Sequence, residues 1–110
     1  MSGEAGVSVI RLDGELEIGR RDELARLLHL QGSESSVLVD CSNVTYADST
    51  ALAELLRFRA GAQARGVSLA LLIESRQFAR IVQYAGLADA FAIFENRPDA
   101  LAYLSRSRTP

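Results

Sequence analysis

A chain of 110 residues has the length of one domain and is too short for two independent cores; with 48% hydrophobic and 24% charged residues it can bury a core without metals or disulfides. A single cysteine, Cys41, and a single histidine, His29, exclude an internal disulfide, a Cys/His zinc site and Cys-His nucleophilic catalysis. The net charge is −2, the twelve basic residues are all arginine, and none of their runs exceeds Arg20-Arg21, so the basic stripe that nucleic acid needs is missing.

Met1 to Gly6 has neither a basic n-region nor an apolar h-region, and no stretch approaches the roughly 18 apolar residues of a membrane span. The expectation is a cytoplasmic protein without direct membrane insertion, opening on a flexible lead-in at 1–6. Ser8-Val9-Ile10-Arg11-Leu12 and Leu16-Glu17-Ile18 read as short strands around Asp13-Gly14, a dipeptide suited to a tight hairpin turn. Leu24, Leu27 and Leu28 then mark one face of a helix from about Arg21 to Leu30, which Gly32-Ser33-Glu34-Ser35 ends.

Val37-Leu38-Val39 and Leu69-Ala70-Leu71-Leu72-Ile73 are continuous apolar runs, as expected of strands buried on both faces of a parallel sheet. Between them Ala51, Leu55, Phe58 and Ala62 form a helical stripe with Leu52 and Leu56 beside it, while Glu54, Arg57 and Arg65 face away; Gly66 stops the helix. Phe78, Ile81, Val82 and Ala85 keep helical spacing before Gly86. Phe91 to Phe94 reads as an edge strand, and Pro98 to Leu104 as a last helix with proline in its first turn. The fold class is α/β: one domain with a mixed, mostly parallel sheet, helices packed on it, and the order ββαβαβαβα.

The segment from Val37 through Asp40 to Asp48-Ser49-Thr50-Ala51-Leu52 resembles the signature of the STAS family, the sulfate transporter and anti-sigma factor antagonist domains. In that family an apolar strand ending in Asp leads through a short loop to Asp-Ser-Ser/Thr-Gly-Leu at a helix start. Gly14-Glu15-Leu16-Glu17 resembles the early Gly-Glu-Leu-Asp, and Ala85-Gly86-Leu87-Ala88-Asp89-Ala90-Phe91 resembles Thr-Gly-Leu-x-x-x-Phe. The likeness covers about residues 7–104 and leaves 105–110 as a flexible tail; it departs where this chain has Ala51 and the family usually has Gly.

The resemblance implies a bacterial anti-sigma factor antagonist, a partner-switching phosphoprotein of transcription regulation. Its partner would be an anti-sigma factor with serine kinase activity, and Ser49 would be the phosphoacceptor, with Thr50 as the nearest competing hydroxyl. The contact surface would comprise Thr45, Tyr46, Asp48, Ser49, Thr50, Glu54 and Arg57. The alternative is a non-phosphorylated STAS accessory subunit of a membrane lipid-transport ABC complex, and a stressosome-like scaffold is a third reading.

Read as residues alone, Asp48-Ser49-Thr50 is a helix start in which a short polar side chain accepts a hydrogen bond from an unpaired backbone N–H, and Asp48 is assigned mainly to that cap. The reciprocal capping box is not met, because Leu52 stands three residues after Ser49 and Glu54 falls one too far from Thr50. Cys41 reads as a small buried residue and His29 as structural or surface. Neither a cofactor nor a metal is expected. With no Gly-x-Ser-x-Gly around Ser49, no enzyme activity is expected either.

Overall fold

The computed structural model of the protein describes residues 2–4 and 6–107. Period-two alternation sorts the side chains of the central strand β3 (Ser36–Ala47) onto two faces. Val37, Val39 and Cys41 enter a larger core and Leu38 points into a smaller one. Both faces are covered, which is why this stretch is continuously apolar in sequence. β2 (Val7–Leu16) and β4 (Ser68–Leu72) flank β3 in parallel, and β5 (Ala92–Phe94) joins β4 in parallel. β1 (Ser2–Glu4) lies antiparallel to β2, so the sheet runs β1-β2-β3-β4-β5.

The larger core lies beneath α1 (Arg21–Leu27), α2 (Ser49–Ala64) and α3 (Arg76–Tyr84), whose Leu24, Leu55, Phe58, Phe78 and Val82 meet Val37, Val39 and Leu71 of the strands. On the opposite face α4 (Arg97–Ser107) lays Ala100 and Leu104 on Leu38, Ala70 and Leu72. Of the residues chosen from helical spacing, Leu55 and Val82 are buried, while Leu52, Leu56 and Ile81 are half-buried. The mixed sheet and the ββαβαβαβα order are as the sequence predicts.

An ion-pair cluster fixes α4 to the sheet. Asp40, on β3, is buried, and its carboxylate takes Arg97 Nη2 at 2.6 Å and Arg11 Nε at 3.5 Å, with the Ser42 N–H at 3.0 Å and the Ser42 hydroxyl as further donors. Burial by itself pushes this carboxyl up; the Ser42 hydrogen bonds and the two guanidinium groups outweigh it and hold Asp40 below the ordinary carboxylate range.

The opening hairpin differs from the sequence reading. Residues 8–12 and 16–18 are not two strands around Asp13-Gly14; β2 runs unbroken from Val7 to Leu16, and the turn into it closes at Gly6, φ 83°. Ser2–Glu4, in the stretch read as a lead-in, supplies the other strand. The stretch after Asp40 is also strand, not loop, because β3 continues to Ala47 against the second half of β2. The ladder slips twice, between Arg11 and Asp13 and between Gly14 and Glu15, and each time β3 holds the additional residue. Gly14, at φ 75°, takes the positive angle there. Arg20 explains why Asp13-Gly14 does not turn: its Nη1 donates to the Asp13 carbonyl at 2.7 Å and the Glu15 carbonyl at 3.1 Å. Carbonyls displaced from the ladder thereby keep partners.

α1 stops at Leu27 rather than Leu30, since Leu28 leaves helical geometry at ψ 72°. The Glu34 carboxylate then accepts hydrogen bonds from the N–H groups of Gln31 and Gly32 at 2.7 and 2.9 Å, closing the loop.

Candidate functional site

The carboxyl end of β3 delivers the chain into α2, and Asp48 sits at the junction as the N-cap in extended backbone geometry. One carboxylate oxygen accepts the N–H of Ala51 at 3.0 Å, which is the cap expected from the sequence. The other accepts the N–H of Ile18 at 2.9 Å, and the Asp48 N–H itself donates to the Leu16 carbonyl at 3.0 Å. A single residue thus ties the end of β2, the 3-10 turn Ile18–Arg20 and the start of α2 together.

Ser49 is the first residue of α2 and is exposed; Thr50, beside it, is half-buried. Before them Thr45 and Tyr46 are both exposed, although neighbours on a flat strand alternate. The second register slip accounts for this: Gly14 pairs with Val44 and Glu15 with Tyr46, so Thr45 is the unpaired extra residue. Six of the seven residues predicted for partner contact therefore present at least part of a side chain at this end of the sheet: Thr45, Tyr46, Asp48, Ser49, Thr50 and Arg57.

Glu54 is the exception. Read from the sequence as facing away from the core, it is only 5% exposed. Its carboxylate lies under two arginines, with Arg21 Nε at 3.9 Å and Arg57 Nη1 at 3.7 Å. The helical stripe could not show this, because the cover comes partly from Arg21, on α1.

Ile18, Arg21, Ser49, Thr50, Ala53, Glu54 and Arg57 line one shallow recess of about 300 Å3. Ile18 is 67% exposed, unusual for an isoleucine, and the Asp48 hydrogen bond holds its backbone at the rim. Sequence reasoning missed Ile18, which it placed in a strand, and Arg21, which it placed on a helix without a role. The available signal was their position within four residues after Gly14-Glu15-Leu16-Glu17. Away from this recess, Cys41 is fully buried and its thiol is pushed up to about 12, chiefly by burial. His29 is exposed. Among the described residues no three His, Cys, Asp or Glu side chains gather as a metal site, and no helix is long and apolar enough to cross a membrane.

Residues 2–95 match the family model described as Mlab, STAS domain. No curated protein sequence matches the chain. Among solved structures, an anti-sigma factor antagonist from Mycobacterium paratuberculosis superposes with a TM-score of 0.85 at 20% identity, over 94% of this chain and 90% of that one. A sulfate transporter family protein from Wolinella succinogenes gives a TM-score of 0.78 at 21% identity, over 97% and 91%. At such identities the two structures establish a common fold.

Proposed function

The chain belongs to the STAS domain family, and from that membership we propose that it acts as an anti-sigma factor antagonist. In this reading it is a non-catalytic binding module. Unmodified, it binds a cognate anti-sigma factor that is also a serine kinase, and it is released when Ser49 is phosphorylated. In the transfer the Ser49 Oγ bonds to the γ-phosphorus of ATP on the kinase, the bond to the β–γ bridging oxygen breaks, ADP departs, and the hydroxyl proton goes to a base of the kinase. The observation that carries the reading is an exposed Ser49 hydroxyl at the first position of a helix, directly after a residue that caps it.

The switch needs no refolding. Phosphorylation adds roughly −1.5 to −2 of charge at a helix N-terminus, where the macrodipole favours an anion. A partner surface shaped for a neutral hydroxyl would have to bury that charge unpaired, at a cost of about 2–5 kcal/mol, or roughly 30- to several-thousand-fold in affinity.

The second reading is a non-phosphorylated accessory subunit of a membrane lipid-transport ABC complex; a connection to transport, though not of lipid, stands in the name of the sulfate transporter family protein that shares the fold. One experiment separates the two: the protein and its Ser49→Asp variant are used as baits in native cells, and the peptide spanning Asp48 is examined by mass spectrometry after incubation with the captured partner and ATP. The antagonist reading expects an ATPase-fold kinase on the unmodified bait, weaker capture by Ser49→Asp, and phosphate on Ser49. Phosphate on Thr50 alone moves the switch by one residue. A transporter ATPase captured equally by both baits, with no phosphate on either residue, establishes the second reading instead.

A further inference from the structure

The recess beside Ser49 holds two guanidinium groups and one carboxylate, a local excess of positive charge on a chain whose net charge is −2. Both arginine side chains are largely exposed, at 58% for Arg21 and 70% for Arg57. Their distances to Glu54, 3.9 and 3.7 Å, are too long for hydrogen bonds, so the contact is Coulombic and the N–H donors are uncommitted. Among the described residues neither has a nearer polar partner. The buried Glu54 carboxylate lies within 4 Å of both heads while leaving those donors available, and the same recess is lined by Ser49 and Thr50.

Resting on the reading of Ser49 as phosphoacceptor, we propose that Arg21 and Arg57 are an internal receptor for the phosphoryl group on Ser49. A phosphoserine dianion offers three acceptor oxygens to donors that Glu54 does not saturate, and guanidinium groups match that geometry. Arg57 belongs to the predicted contact surface, so capture by the phosphate also removes it from a partner. Release thus has two parts, a new charge at the surface and the loss of a cation from it. The charges facing the group are Arg21 on α1, Arg57 and Glu54 on α2, and Asp48 at the cap, whose oxygens are engaged by the N–H groups of Ala51 and Ile18.

The test is independent of any kinase. Ser49→phosphoserine is installed during translation in the full chain by genetic code expansion, and the second ionisation of the phosphate is followed by 31P NMR against pH. An exposed phosphoserine titrates near 6. With both arginines present the midpoint is expected about half a unit to one unit lower than in the Arg21→Gln, Arg57→Gln background, since nearby cations favour the dianion and solvent exposure limits the effect. Glu54→Gln should lower it further, and Arg59→Gln, elsewhere on α2, should leave it unmoved. Because both arginines are exposed, either single variant carries the comparison if the double variant does not fold. Equal midpoints with and without the arginines would overturn the proposal, as would an equal shift from Arg59→Gln. Failure of every kinase to modify Ser49 would instead remove the functional reading while leaving this titration intact.

Discussion

Replacing Asp48 by asparagine and by alanine separates its two backbone contacts. Its carboxylate has one oxygen on the Ala51 N–H, at the part-buried helix start, and the other on the Ile18 N–H, at an exposed turn. Alanine removes both. Loss of the cap costs about 1 kcal/mol within a range of roughly 0.5–2. The Ile18 N–H can turn to water, so losing its partner adds only a few tenths of that scale. The expected total is about 1–2 kcal/mol, read as a fall in Tm of about 4–8 °C. Asparagine keeps one carbonyl oxygen, but its amide nitrogen is a donor and cannot accept from Ile18. The cap should retain the oxygen, because the Ala51 N–H has less access to water. Asp48→Asn should therefore stay within about 0.5 kcal/mol of the parent in urea unfolding, while amide exchange by NMR shows Ile18 unprotected and Ala51 still protected. Ile18 exchange as slow in Asp48→Asn as in the parent, or equal destabilisation by the two substitutions, would refute the two-oxygen account.

Asp40→Asn should cost about 3 kcal/mol in chemical unfolding, the lower end for breaking a buried pair because Arg11 and Arg97 keep some access to water. The pH dependence has a definite sign. The folded carboxyl lies below its ordinary value of 3.8, so its contribution is complete above that value and is lost as pH falls through the depressed one. Acid unfolding of the Asn variant should accordingly be less steep below about pH 4, and identical acid limbs would argue against the cluster. Cys41, buried and pushed up to about 12, should resist a thiol reagent at pH 8 in the native protein and react once the chain is unfolded. Rapid native labelling would show that this part of β3 opens.

Local patterns were enough for the central strands and the helices, though not for the opening hairpin or the second half of β3. Val37-Leu38-Val39 and the run from Leu69 require strands covered on both faces, because a continuous apolar stretch has no side to give to water. The spacing of Ala51, Leu55, Phe58 and Ala62 requires a helix with one buried stripe, and the structure buries all four. The Asp48 cap was equally legible, since it joins residues three apart. Contacts between distant segments were not. Asp13-Gly14 has the composition of a turn, yet Arg20 holds the Asp13 and Glu15 carbonyls and the extended β3 pairs alongside, so the same dipeptide stays in the strand, opposite the extra residues of β3. Glu54 falls on the polar side of its helix by spacing, yet Arg21 and Arg57 close over it. Ile18 reads as a strand residue until Asp48, thirty residues away, takes its N–H. Sequence periodicity records which side of an element meets apolar neighbours. Where charged side chains lie across element boundaries, the cost of leaving buried polar groups unpaired selects the partner, and that choice is made only when the chain is assembled.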